Sequence, residues 1–162
     1  MKKKRVVSGT CGSTAVEDAF KVAKPDASKK DLKWVLSVQA DVPKKVTGDY
    51  GKIHQVLVYL LRGAAVRTAR GAVIVEVLKR DESFYELSVR DTGSGLDERC
   101  QRETAAALRG ADFSAVTEFG HLGLLVCASL CSSMEGSLFF HTAAGLGTSF
   151  VFTIPIGVAP PP

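Results

Sequence analysis

The sequence has no long hydrophobic run, few aromatic residues and only four cysteines. No apolar stretch approaches the roughly 18 residues that a membrane-spanning helix needs, so we expect no membrane contact in this segment. The cysteines show neither the spacing of a zinc ribbon or finger nor ligand-spaced histidines nearby, and Cys127 and Cys131 fit two small core residues of an apolar helix. Reduced thiols and a cytoplasmic location are therefore expected.

The composition is that of one globular domain. Hydrophobic residues make up 46% and charged residues 23% of 162 residues, which is enough to bury a sizeable core. We expect a flexible basic segment over 1–13, the domain over 14–156 and a proline-rich tail over 157–162. The basic start lacks the apolar core of a signal peptide, and the two ends suggest a domain cut from a longer protein.

The whole chain has a net charge of +4, and its positive charge is concentrated in the first third. A basic surface can be a nucleic-acid footprint, but no aromatic residues are interleaved with these lysines, and a solvated face explains them more simply. A basic nucleic-acid-binding module is therefore the weakest hypothesis, and nucleic acid is an unlikely partner. Salt-sensitive binding of DNA or RNA would test it.

Hydrophobic periodicity predicts helices and strands along the whole domain. Apolar residues at helical spacing predict helices over 14–24, 49–68 and 122–135, with Asp49 as the N-cap of the second. Residues 96–118 are irregular and are predicted to form a long loop, or lid, with a helical segment. Alternating or β-forming residues predict strands over 32–38, 72–79, 83–90, 137–142 and 148–154.

The turn Asp91-Thr92-Gly93-Ser94-Gly95-Leu96 ends the third predicted strand. A carboxylate there can accept a hydrogen bond from an exocyclic amine such as adenine N6, and flanking glycines let the backbone approach a flat base. Asp91 is therefore the candidate base-reading residue. Taken alone, the turn is better explained as an ordinary strand-ending turn, which these residues favour in any protein.

The order of elements and several motifs resemble the ATP-binding domain of sensor histidine kinases, in the GHKL superfamily. The similarity covers roughly 34–156: the turn at 91–96 resembles the first glycine box, 122–124 the end of the second, and 48–57 the entry to the N-box helix. The resemblance implies an α+β fold of Bergerat type. That fold is a two-layer α/β sandwich with a mixed, mostly antiparallel sheet and about three helices on one face.

Two motifs depart from the family pattern. The N-box helix of the family usually supplies two asparagines or equivalents four residues apart, the second ligating Mg²⁺, and this chain has Tyr59 and Gly63 there. Gly63 has no side chain to bind a metal. The second glycine box would need glycines where Phe119 and His121 stand. The resemblance thus implies loss of the metal and triphosphate positions with retention of the base-reading one, so no catalytic or metal-ligating residue is assigned.

The nucleotide-binding candidates follow from the resemblance. Arg67 stands where the family has an aromatic residue near the nucleotide, and an arginine can pair with phosphate without metal. The expected ligand is ATP or ADP, bound weakly, and a requirement for Mg²⁺ is left open. The candidate residues are Asp91, Gly93, Gly95, Gly123, Leu124, Tyr59, Gly63, Arg67 and Thr148.

The leading hypothesis is a degenerate histidine-kinase ATP-binding domain in two-component-type signalling. It would act as a pseudokinase or scaffold whose nucleotide binding is weak, metal-independent or absent. Its expected partners are the histidine-bearing dimerisation hairpin of the same or another kinase and a response regulator. The alternative is an active ATP-dependent histidine phosphotransferase domain with atypical Mg²⁺ ligation, in which Arg67 and backbone amides contact phosphate.

Overall fold

The computed structural model describes residues 11–43, 48–110 and 119–156, and in these ranges the chain forms four α-helices and five strands. The helices are α1 (Cys11–Ala23), α2 (Tyr50–Arg67), α3 (Glu98–Leu108) and α4 (Phe119–Ser133), and a 3₁₀ turn, Lys24–Ala27, follows α1. The strands are β1 (Leu32–Val38), β2 (Gly71–Lys79), β3 (Phe84–Asp91), β4 (Leu138–Ala143) and β5 (Gly147–Pro155).

The strands form one sheet in the order β1-β2-β3-β5-β4. Strands β1 and β2 are parallel and are connected through α2, as a parallel pair requires, whereas the other neighbouring pairs are antiparallel. The helices pack against this sheet, with α2 in contact with β2, β3, α1 and α4. The predicted α+β fold with a mixed, mostly antiparallel sheet is confirmed.

The core lies between α2 and the central strands. On β2 and β3 the buried residues alternate, and the register places Val75 opposite Val89 and Val77 opposite Leu87. The face of α2 turned to this surface follows the spacing that predicted the helix. Its buried residues are Ile53, Val56, Leu57, Leu60, Leu61, Ala64 and Ala65.

Both ends of α2 are fixed by side chains. At its start, the carboxylate of Asp49 accepts a hydrogen bond from the backbone N–H of Lys52 at 3.2 Å, as expected for an N-cap. At its end, Lys30 Nζ donates to the carbonyl oxygens of Ala65 at 2.7 Å and Val66 at 3.2 Å. A lysine that binds the last carbonyls of a helix satisfies acceptors that lack intrahelical partners. Lys30 therefore holds the end of α2, where Arg67 lies.

Two helices extend the predicted pattern toward the N-terminus. Helix α1 begins at Cys11, inside the segment 1–13 that was predicted to be flexible, and α4 begins at Phe119 instead of Leu122. Continuing a helix by one turn is easy once its apolar face is packed, because each added residue gains a backbone hydrogen bond. The segments 1–10 and 157–162 lie outside the described residues.

Helix α3 occupies about half of the predicted lid. Its N-cap is Asp97, whose carboxylate accepts a hydrogen bond from the N–H of Cys100 at 2.7 Å. The helical segment expected in 96–118 is therefore α3, an eleven-residue helix that packs against α4. Residues 111–118 of the predicted lid lie outside the described residues.

Helix α4 carries two buried thiols, Cys127 and Cys131. Burial raises the pKa of each to about 12, so both are protonated at neutral pH and behave as small core residues. Although α4 is apolar, no helix in the described part of the chain is both long and apolar enough to cross a membrane.

Candidate functional site

Asp91 is the last residue of β3, and its side chain is only 1% exposed. Its Oδ1 atom accepts hydrogen bonds from the backbone N–H groups of Gly93 at 3.0 Å and Thr148 at 3.2 Å. The first bond closes the glycine turn and the second joins β3 to the start of β5. One oxygen of the predicted base-reading carboxylate is therefore used by the fold itself.

The second oxygen of Asp91 pairs with Arg67. Arg67 Nε donates to Asp91 Oδ2 at 3.0 Å, and Arg67 Nη2 lies 3.0 Å from the same oxygen. The guanidinium also lies over the ring of Phe150, with Cζ 5.4 Å from the ring centroid. The side chain predicted as a phosphate contact is thus directed to the carboxylate that was predicted to read the base.

The two glycines of the turn are required by close backbone contacts. A Cβ atom at Gly93 would lie 2.6 Å from the carbonyl oxygen of Arg67. Gly95 has a φ of +82°, and a Cβ there would lie 2.5 Å from the carbonyl oxygen of Ala143. The turn therefore fits between the end of α2 and the end of β4, and its glycines have a structural reason that is independent of any ligand.

Thr142 ties this turn to the β4–β5 hairpin. Its hydroxyl accepts a hydrogen bond from the N–H of Leu96 at 2.9 Å and lies 3.0 Å from the hydroxyl of buried Thr148. Sequence reasoning missed Thr142, since a threonine in a β-strand looks like any other strand residue. Thr148, a predicted site residue, belongs to the same network, because its backbone N–H also donates to Asp91.

Tyr59 lies against the backbone of α4 at Gly123. A Cβ atom built on Gly123 would lie 1.9 Å from Tyr59 Cε2 and 2.4 Å from its Cζ, so the ring occupies the space beside this glycine. Burial is the main cause that raises the pKa of Tyr59 above its usual value of 10.0. Leu124, the next predicted site residue, is buried in the core.

Tyr59, Gly63 and Arg67 are spaced four residues apart and share one face of α2. Tyr59 contacts α4, Arg67 reaches Asp91, and a Cβ at Gly63 would lie 3.0 Å from Arg67 Nη1. The structure thus gathers the candidates along this face, with Asp91, Gly93 and Thr148 at one end and Gly123 at the other. Gly95 lies on the far side of the turn, against β4.

The residues present do not fit a divalent metal. Within the described ranges, no group of three or more His, Cys, Asp or Glu side chains could hold a metal ion. Gly63, which the sequence resemblance places at the Mg²⁺-ligand position, offers no donor atom.

His121 is a buried packing residue in the first turns of α4. Its Nδ1 lies 3.6 Å from Glu103 Oε2 of α3, and neither atom has a hydrogen-bond partner among the described residues. The pair joins α3 to α4 and takes no part in the cluster around Asp91. The side chain of Phe119, the other replaced glycine position, lies outside the described residues.

Gly123→Ala is expected to destabilise the domain by about 1–3 kcal/mol, because the new methyl group overlaps the Tyr59 ring. In an open helical position the same change stabilises by up to about 1 kcal/mol. Urea denaturation checks this, with Gly51→Ala as the control, since a Cβ at Gly51 meets only Asp49 Oδ1 at 3.5 Å. In a Tyr59→Ala background the penalty at Gly123 should vanish, and a penalty that persists there would contradict the contact.

Comparisons with known proteins agree with this fold. The model of the family described as histidine kinase-, DNA gyrase B-, and HSP90-like ATPase matches residues 48–158. The signal transduction histidine-protein kinase BarA of Escherichia coli strain K12 is 34% identical over 137 residues, which cover 81% of this chain and 15% of BarA. The sensor protein GacS of Pseudomonas syringae pv. syringae is 29% identical over 83% of this chain and 16% of GacS. The chain therefore spans about one sixth or less of these relatives.

Solved structures show the same architecture. Full-length ShkA in complex with AMPPNP superposes with a TM-score of 0.79 at 21% identity, over 98% of this chain and 32% of ShkA. The nucleotide-free catalytic domain of histidine kinase ThkA gives a TM-score of 0.75 at 16% identity, over 96% of this chain and 97% of that domain. At these identities the likeness concerns the fold.

Proposed function

Since the chain belongs to the histidine kinase-, DNA gyrase B-, and HSP90-like ATPase family, as the ATP-binding domain of a histidine kinase in two-component signalling, we propose that it is a non-catalytic member. It acts as a pseudokinase or scaffold within a larger signalling protein. Its binding of ATP or ADP is weak, independent of metal or absent.

The contact of Tyr59 with Gly123 carries this proposal. In the family, the helix equivalent to α2 carries the N-box, which supplies the metal ligand. The helix equivalent to α4 has a glycine-rich start, whose backbone amides face the phosphates. Here the Tyr59 ring lies against the backbone of Gly123, and Gly63 supplies no metal ligand. Triphosphate and Mg²⁺ would have to displace a partly buried aromatic side chain.

The alternative of an active phosphotransferase loses its main phosphate contact in this arrangement. Arg67 was the side chain expected to compensate for the missing metal, but its Nε and Nη2 atoms both lie 3.0 Å from Asp91 Oδ2. Backbone amides alone would then have to stabilise the transferred phosphoryl group, whose charge normally needs cations as well.

Docking of other signalling proteins is the remaining role of such a domain. We place among its partners the histidine-bearing dimerisation hairpin of the same or another kinase and a response regulator, because the relatives are a signal transduction histidine kinase and a sensor protein. A cytoplasmic setting belongs to the same proposal and fits the protonated, unpaired thiols of α4. The nucleic-acid hypothesis loses support, since Lys30 binds the end of α2 and Lys21 pairs with Asp18.

Calorimetric titration with ATP and ADP, with and without Mg²⁺, tests the proposal. The wild-type domain is expected to give the same weak signal, or none, in both conditions, because Gly63 offers no donor atom to link a metal to the protein. The domain should also transfer no γ-phosphate to the histidine-bearing hairpin of a histidine kinase. Micromolar binding that requires Mg²⁺, or labelling of the hairpin, would instead establish the active enzyme.

The double variant Tyr59→Asn/Gly63→Asn tests whether the metal site was lost through these two side chains alone. It restores two amide side chains on one face of α2, so Mg²⁺ should increase its affinity for ATP if the site was lost through these two positions. Arg70→Ala, which changes an exposed arginine just beyond the helix, serves as the matched control and should leave nucleotide binding as in the wild type. A double variant that folds and still ignores Mg²⁺ would show that the metal site was lost elsewhere.

A further inference from the structure

We propose that Arg67 is a built-in occupant of the base-recognition site: its guanidinium takes the acceptor that an adenine amino group would use. Arg67 is thereby the residue that determines which ligands this site admits. The inference rests on the proposed role of Asp91 as the base-reading residue, and it is tested with a ligand that has no phosphate.

The hydrogen-bond capacity of Asp91 supports this assignment. An ionised carboxylate has about four lone-pair sites. Two backbone N–H groups use Oδ1, and Arg67 Nε and Nη2 use Oδ2 at 3.0 Å each. The carboxylate is therefore saturated without any ligand, and an incoming amino group finds no free oxygen.

The position of the guanidinium resembles that of a flat ligand. It is planar, it presents paired N–H donors to the carboxylate, and it lies over Phe150 at 5.4 Å. Gly63 leaves room for it, because a Cβ there would already lie 3.0 Å from Arg67 Nη1. The missing side chain at Gly63 therefore gives the Arg67 guanidinium the space it needs to reach Asp91.

The chemistry of the pair favours a cation over adenine. Asp91 is 1% exposed and Arg67 24% exposed, so the carboxylate depends on its partner for compensation of a buried charge. Arg67 brings a positive charge and two donors to the carboxylate, whereas an adenine amine brings only a neutral donor. Neutral adenine therefore competes poorly, and the site without Arg67 should prefer small planar cations, the guanidiniums and amidiniums.

Adenosine is the appropriate probe, since it carries the base without phosphate and so avoids the region of Tyr59 and Gly63. Its binding is measured by NMR titration on the wild type, Arg67→Ala, Arg67→Met and the control Arg70→Ala. Both Arg67 variants should bind adenosine roughly tenfold or more tightly than the wild type, because adenosine no longer has to displace the Arg67 guanidinium from Asp91. The methionine keeps an unbranched stem beside Phe150 and offers no donor.

Ethylguanidinium at millimolar concentration is the second probe. It should raise the melting temperature of Arg67→Ala and compete with adenosine there, and it should do neither with the wild type or Arg70→Ala. If an Arg67 variant is unfolded, ethylguanidinium should restore its folding. If ethylguanidinium neither stabilises a folded Arg67→Ala nor restores an unfolded one, the proposal is wrong. An equal effect on Arg70→Ala would also overturn it.

Equal affinity of adenosine for the wild type and for folded Arg67 variants would also overturn it, as would tight binding to the wild type with the Arg67 Nε–H resonance unchanged. These outcomes are distinct from failure of the proposed function. A wild type that binds Mg·ATP and transfers phosphate refutes the pseudokinase, whereas the adenosine ratio between wild type and variants reports on Arg67 alone.

Discussion

Replacing Gly147 with alanine is expected to lower the free energy of unfolding by about 3 kcal/mol or more, whereas Gly145→Ala should lower it by only about 1 kcal/mol. Both glycines lie in the β4–β5 turn, with φ of 96° at Gly147 and 76° at Gly145, so both variants carry the strain of a left-handed backbone. They differ in the space around them. A Cβ at Gly147 would lie 2.0 Å from the carbonyl oxygen of Asp91, whereas a Cβ at Gly145 would have no atom of the described residues within 4 Å.

The obstacle at Gly147 is the backbone of β3, which cannot rotate aside as a flexible side chain can. To admit a methyl group, the start of β5 must move away from β3, and the hydrogen bond from the N–H of Thr148 to Asp91 would be lost with it. Urea denaturation, followed by circular dichroism and by the fluorescence of Trp34, measures both variants. Equal costs for Gly145→Ala and Gly147→Ala would contradict the close contact and leave only the backbone strain.

The fold could be predicted because its signals are local. Strand β1 was predicted over 32–38 and is observed as Leu32–Val38, and α2 was predicted over 49–68 and is observed as Tyr50–Arg67. In both cases the pattern of apolar residues has the period of the element that buries them. The predicted starts of α1 at residue 14 and of α4 at residue 122 were each three residues late, since one added turn does not change the period of the apolar residues.

The contacts of the candidate site could not be predicted, because they join distant parts of the chain. Arg67 and Asp91 are 24 residues apart, and their pairing depends on where the end of α2 lies relative to the end of β3. The sequence identified both residues but assigned Arg67 to phosphate, since a resemblance carries over positions and not the directions of replaced side chains. The contact of Tyr59 with Gly123 likewise depends on how two helices pack.

Asp91→Ala and Arg67→Ala are each expected to lower the free energy of unfolding by about 3 kcal/mol, because each removes one partner of a buried ion pair. Without Arg67, the carboxylate keeps only the N–H groups of Gly93 and Thr148 and loses the positive charge that compensates it. Without Asp91, those two N–H groups lose their acceptor, although the partly exposed Arg67 can reach solvent. Denaturation of both single variants and the double variant should give a coupling energy of about 2 kcal/mol.

Arg99→Ala is the control, since its pair with Glu103 also joins an arginine to a carboxylate but leaves the Arg99 side chain 64% exposed. Because Arg99 is largely solvated, although Glu103 is 17% exposed, we expect this pair to contribute only about 1 kcal/mol. A large coupling between Asp91 and Arg67 would mean that the fold itself requires the carboxylate, so its presence in this chain would not require that a nucleotide binds. If the coupling is no larger than the effect at Arg99, the fold gives Asp91 no such role, and recognition of a base becomes the better reason for a buried carboxylate at the end of β3.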